Sequence, residues 1–120
     1  MFFTGDITKV RGLIEGGASV NTKDNNGWTP LHEVCSKGYL DIARLFVEAG
    51  AEQDIPAGPD YVTPLHDAVR YDRKDIVVLL LASGHSVDVA DNMKRKPSHP
   101  HYTEDADLVQ VCAFYLSAPF

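Results

Sequence analysis

The sequence predicts an all-α solenoid: three to four short units of paired antiparallel helices joined by hairpin fingers, the first unit truncated and the last degenerate. Three observations predict it. Gly5-Asp6 recurs as Gly38-Tyr39, and Gly17-Ala18-Ser19-Val20-Asn21 recurs as Gly50-Ala51-Glu52-Gln53-Asp54, each after 33 positions. Thr29-Pro30-Leu31-His32 returns as Thr63-Pro64-Leu65-His66 after 34, and in degraded form as Lys96-Pro97-Ser98-His99 after 33 more. Apolar residues at helical spacing fill the stretch between these marks. One such unit cannot bury its own apolar face, so its neighbours must complete the core.

Taken in order, the chain is read as one domain, 1–120, made of a truncated repeat (1–24), two fuller repeats (25–57 and 58–91) and a degenerate capping repeat (92–120). Met1 to Thr4 align with the end of a first helix whose start is absent, so fraying, or a replacement for that helix, is expected there. Thr29 suits an N-cap and Pro30 the first helical position, so a helix can open at that point without strain. Thr63-Pro64 opens the next one in the same way. Between Tyr39 and Ala49, Leu40, Ile42, Ala43, Leu45, Phe46 and Val47 form an inward face and leave Asp41, Arg44 and Glu48 to solvent. Gly50 and Gly84 stand where a helix stops with a left-handed residue, and Ala51 to Asp54 and His85 to Ala90 read as fingers. Pro97 and Pro100 shorten or abolish a first helix in the last copy, while Leu108 to Leu116 reads as one apolar capping helix.

Composition narrows the function classes. A chain of 120 residues holds one ordinary domain, and 44% hydrophobic residues suffice for a core. With 17 acidic against 11 basic side chains, the net charge of −6 argues against a phosphate backbone as main partner and for a basic peptide. Cys35 and Cys112 match no metal spacing and read as buried thiols of a reducing compartment. The run Ile76 to Ala82 is too short to cross a bilayer, and no basic-then-apolar leader opens the chain. No phosphate-cradling glycine loop or nucleophile elbow is present, so neither an enzyme nor a small-molecule substrate is expected, and no cofactor.

The recurring T-P-L-H string at this period resembles the ankyrin family over nearly the whole chain. The resemblance implies a concave surface made of finger tips and the exposed sides of the first helices. Asp24, Trp28 and Glu33 fall at that surface, and Asp67 holds in the next repeat the place of Glu33. Neighbouring helices pack roughly 8–10 Å apart, so Glu33 and Asp67 are expected to form a short acidic row. An indole beside carboxylates can seat a lysine ammonium, with about 0.5–2 kcal/mol from the cation over the ring. Such a seat prefers the unmethylated amine, because methylation removes N–H donors and only one aromatic wall is present. The alternative stays open that Trp28 packs on the neighbouring finger, that Asp24 ties the finger turn, and that the acids are a solvated face.

The longer string Asp24 to Cys35, with Pro64-Leu65-His66-Asp67-Ala68, is similar to the ankyrin domains of two nuclear families, which read "GWTPLHEAC" and "PLHDA". These are the RING-domain partners of the breast-cancer susceptibility protein and the Tonsoku-like repair proteins. Val62 replaces the indole in the second copy, so the resemblance singles out Trp28, and Tyr102-Thr103-Glu104-Asp105 resembles the "DYTDD" that follows the last repeat in the first family. The resemblance implies a nuclear reader of the histone H-four tail, with its lysine unmethylated, acting on nucleosomes in homologous recombination repair. It also implies a ubiquitin ligase complex, whose RING heterodimer partner would be held by regions outside this chain. Carried over, Trp28, Asp24 and Glu33 surround the lysine and Asp67 meets a neighbouring basic residue. Ser36 departs from the Asn of those families, Lys37 adds a positive charge beside it, and the acidic residue of their first helix has no counterpart here.

The remaining chemistry is sparse. The resemblance implies that His32 and His66 bond the loop backbone. His85, His99 and His101 suggest a metal only weakly, because Pro100 intervenes and no thiolate is near. Met93-Lys94-Arg95-Lys96 reads as a solvated finger tip, with contact to nucleosomal DNA or acidic protein as the alternative.

Overall fold

Thr-Pro pairs start the inner helices, and apolar runs 10 residues or so further on supply the outer ones. The structure is a computed structural model and describes residues 6–83 and 90–117, the side chains of 115–117 excepted. Six helices run through these residues: α1 (Ile7–Glu15), α2 (Pro30–Lys37), α3 (Leu40–Glu48), α4 (Pro64–Arg70), α5 (Lys74–Ala82) and α6 (Ala106–Ser117). Helices α2 and α4 pack side by side as the inner layer, and α1, α3, α5 and α6 follow one another as the outer layer. This is the helix-pair solenoid expected from the period.

Local chemistry explains the helix boundaries. The Thr29 hydroxyl accepts from the His32 amide, and the His32 side chain closes the reciprocal half of a capping box. Thr63 and His66 repeat the arrangement. Gly38 ends α2 at φ 80 in the left-handed region, where a Cβ would also strike the Arg73 side chain at 2.9 Å. Arg73 uses that space, donating from Nε and Nη2 to the Ser36 carbonyl and so joining the end of α2 to the start of α5. Helix α3 occupies the span expected for it, with Ile42, Ala43 and Phe46 buried and Leu40, Leu45 and Val47 half-buried.

Stacking produces the core. Leu31, Val34 and Cys35 of α2 meet Leu65, Ala68 and Val69 of α4, all buried, and Phe46, Ile76 and Leu80 fill the outer seam. Each buried side chain of Leu size contributes about 1.5–3 kcal/mol. Both cysteines are free and buried, as their spacing suggested. The fingers are stitched by backbone bonds, from Gly58 N–H to the Asn26 carbonyl and from Asn92 N–H to the Asp60 carbonyl, both 2.8 Å. Among the described residues their hairpin character is limited to one antiparallel bridge, Ala57 to Val62, because turn residues leave no room for a ladder.

The last unit departs as its prolines require: 96–102 is a series of turns, and α6 covers the end of α5. Gly84, most of the finger at 85–90, and Met1 to Thr4 lie outside the described residues. No helix among the described residues is long and apolar enough to cross a membrane.

Candidate functional site

The candidate site forms because each finger ends in a turn that hands the chain to an inner helix. In the first finger the Asp24 carboxylate accepts from the amides of Asn26 (2.9 Å) and Trp28 (3.0 Å), which folds the tip back on itself. That turn sets Trp28 immediately before the Thr29 cap, with its indole edge-on to His32 at 5.1 Å between centroids. Gly58 of the next finger passes under the ring. It has φ +73, and a Cβ there would lie 2.8 Å from Trp28 Cζ2. The indole is therefore packed against Gly58, half-buried, and part of the lining of a cavity.

That open cavity, of about 480 Å³, brings together all five residues singled out from the sequence: Asp24, Trp28, Glu33, Ser36 and Asp67. Thr29 and His32 line it as well. The side chains are not equally available. Glu33 is half-exposed and already paired, 3.0 Å from the Lys37 ammonium one turn along α2. Lys37 is solvent-exposed and lies outside this lining. Ser36 donates its hydroxyl hydrogen back to the Glu33 carbonyl at 2.9 Å, leaving an acceptor oxygen toward the cavity.

Asp67 sits differently from an exposed member of an acidic row. It is 3% exposed at the foot of the cavity. Burial pushes its carboxyl up to about 7, an effect that Arg70 opposes and Glu33 reinforces. At neutral pH it is consequently divided between acid and carboxylate. Cys35 lies behind it, its thiol raised first by burial and then by the charge of Asp67.

Two cavity residues were not singled out from the sequence: Arg70 and Tyr71 of the α4 end. The 34-residue shift carries Ser36 onto Arg70 and Lys37 onto Tyr71, so the repeat alignment held the signal. Arg70 lies over the ring of Tyr102, its guanidinium carbon 5.1 Å from the centroid. Tyr102 is also edge-on to His66 at 4.7 Å and donates its hydroxyl to Asp91. Burial would raise the Asp91 carboxyl, but donors from Tyr102, Arg95 and the Met93 amide hold it well below the usual carboxylate range. Asp91 thus plays for the third finger the part of Asp24 in the first.

The other candidate groups stay structural or peripheral. His32 and His66 accept from Thr29 N–H and Thr63 N–H at Nδ1, so Nε2 carries the hydrogen and donates to the carbonyls of Val62 and Arg95, each at 3.0 Å. Neither ring is placed as a general base. Among the described residues no group of three His, Cys, Asp or Glu side chains converges as a metal site requires, and His85 lies outside them. Of the basic run, Arg95 is bound to the Asp91 carboxylate at 2.8 Å while Met93, Lys94 and Lys96 are exposed at the finger tip.

Gly58→Ala tests the seating of the indole. The added methyl would meet the ring and the left-handed φ, at a cost of about 1–2 kcal/mol. We expect a lower thermal midpoint together with a shifted fluorescence maximum from Trp28, the single tryptophan of the chain. An unchanged spectrum would show that the ring does not rest on Gly58.

Comparison with known proteins agrees with the architecture. The family model for ankyrin repeats, in three copies, matches residues 2–91. The mouse protein phosphatase 1 regulatory subunit 27 is 41% identical over 85 residues, which is 71% of this chain and 53% of the relative. The human SMC5-SMC6 complex localization factor protein 1 is 43% identical over 68 residues, 57% of this chain and 6% of the relative. The Caenorhabditis elegans BRCA1-associated RING domain protein 1 is 36% identical over 83 residues, 69% of this chain and 12% of the relative. The chain thus spans about half the length of the first of these and a small part of the other two. With the recurring capped helix pairs and a family match over three quarters of its length, this chain belongs to the ankyrin-repeat family and is a protein-interaction module.

Proposed function

We propose that the cavity binds a peptide segment of a partner protein by seating an unmethylated lysine between the Trp28 ring and the carboxylates of Asp24 and Glu33. One observation carries this reading: those three side chains, from a finger, its exit and the first turn of α2, line the same open cavity. An indole can hold a cation over its face, and carboxylates supply acceptors to the N–H groups. Glu33 is paired with Lys37 from outside the cavity, at 3.0 Å, and an incoming lysine competes for that carboxylate. Exposed pairs of this kind are worth only about 0–1 kcal/mol, so the exchange is cheap.

Among lysine-bearing partners, the histone H-four tail is the one the sequence resemblance favours, with a nuclear location, nucleosomes and recombination repair as the setting and a ubiquitin ligase complex as the assembly. The similarity to a nematode protein whose name joins a RING domain to BRCA1 supports it. A second reading, an ankyrin scaffold for an unrelated protein, is favoured by the charge of Arg70 inside the cavity and by comparably strong similarity to a phosphatase regulatory subunit.

Titration with tail peptides separates the two. Under the histone reading an unmethylated H-four peptide binds, its dimethyl-lysine form binds much less, and Trp28→Ala weakens the former by roughly 3- to 30-fold, the equivalent of the lost cation–ring contact. Equal or undetectable binding of both peptides removes the histone reading and leaves the scaffold.

A further inference from the structure

We infer that this cavity reads a pair of opposite charges, a lysine at its Trp28 end and an anionic oxygen group on the same peptide, two or three residues away, at its Arg70 end. The inference deepens the lysine reading above and rests on it.

The observation behind it is a guanidinium without an oxygen partner. Arg70 lines the cavity three residues beyond Asp67 on α4, and it is half-buried. Its position is held from behind by the Tyr102 ring, itself 4% exposed and anchored through its hydroxyl to Asp91. Among the described residues no carboxylate or carbonyl accepts a hydrogen bond from it. Its electrostatic neighbour in the cavity wall, Asp67, is buried and held partly protonated near neutrality, so it offsets the charge only in part. The other near carboxylate, Glu33, is engaged by Lys37.

A fixed guanidinium presents a planar fork of donors that matches two oxygens of a carboxylate or phosphate. Tyr71, next in sequence and 48% exposed on the same wall, adds a phenol that can donate to the same oxygens. A purely basic peptide would instead lay a cation against Arg70, and like charges in a partly dry cavity repel. The spacing follows from packing. Helices α2 and α4 are neighbours, and neighbouring helix axes lie about 8–10 Å apart. An extended peptide advances about 3.3 Å per residue, so a lysine over α2 sets its second or third neighbour over α4.

The test uses the chain itself and three synthetic peptides followed by calorimetry. One carries a lysine among Gly and Ser, the second adds Glu two or three residues away on either side, and the third places phosphoserine there. At least one anionic peptide is expected to bind about fivefold or more tighter than the neutral one, as a charge-assisted pair requires. Which of the two gains identifies the source of the anion. In R70Q the ratio of anionic to neutral affinity falls to near one, while R70K, which keeps the charge without the fork, retains part of it. Thermal midpoints of both variants establish that they fold. If the neutral peptide binds as well as or better than both anionic ones, or if R70Q keeps the ratio, the inference is overturned and the lysine reading stands. If no lysine peptide binds, the lysine reading falls and takes the inference with it.

Discussion

Replacing His32 by alanine is expected to destabilise the fold by roughly 3–5 kcal/mol, more than removing any exposed residue of the cavity. His32 is 1% exposed and joins two repeats. Nδ1 accepts from the Thr29 amide and meets the Thr29 hydroxyl at 2.8 Å, while Nε2 donates to the Val62 carbonyl of the next finger. Alanine leaves the Thr29 amide buried and unpaired, takes from the Val62 carbonyl the one of its two donors that comes from α2, opens a void, and removes the surface against which Trp28 stands edge-on. Urea denaturation would give the change. Thr29→Ala alone should cost about 1 kcal/mol, the usual value of a cap, and the double variant should cost less than the sum. A loss below that of the cap alone for His32→Ala would mean that water or a moved side chain satisfies the finger, and the rigid link between repeats would be wrong.

Asp67→Asn should alter the pH dependence of stability as well as its size. The folded carboxyl is raised to about 7 by burial, then moderated by Arg70 and reinforced by Glu33. Between the ordinary carboxylate value and about 7, the folded chain holds a proton that the unfolded chain releases. Stability therefore falls as pH rises through this window, and the loss is complete above it. Its full size is roughly 4 kcal/mol, since the rise from 3.8 to about 7 is worth about 1.4 kcal/mol per pKa unit. Asparagine cannot ionise and nearly preserves the shape, so the variant should gain stability above pH 7 and show a flatter profile from pH 4 to 8. Equal slopes for both proteins would place Asp67 in contact with water. The same linkage reaches the site: a lysine in the cavity favours the charged form of Asp67, so its binding should release a proton near pH 7 and tighten as pH rises.

These two residues mark how much of the site was legible in advance. The convergence of Asp24, Trp28, Glu33, Ser36 and Asp67 on one face could be read from their offsets around Thr-Pro-Leu-His, because a capped helix has a fixed phase relative to its finger. Their electrostatic condition could not. Whether Asp67 is charged depends on how closely α4 lies under α2, and whether Glu33 is available depends on the rotamer of Lys37. Arg70 shows a different kind of omission, since the repeat shift placed it opposite Ser36 but nothing local indicated that Tyr102, 32 positions later, would hold it in the cavity.

By itself the sequence determined the repeat, the capped starts of the inner helices, the apolar faces of the outer ones and the proline-broken last unit, all consequences of contacts within about 34 residues. Tertiary structure alone decided which acid is buried, how the indole is wedged over Gly58, and how Asp91, Tyr102 and Arg70 form one linked group. The physical reason is that backbone caps and helical periodicity act through neighbours along the chain, whereas desolvation and charge pairing depend on what packing brings within a few ångströms from elsewhere.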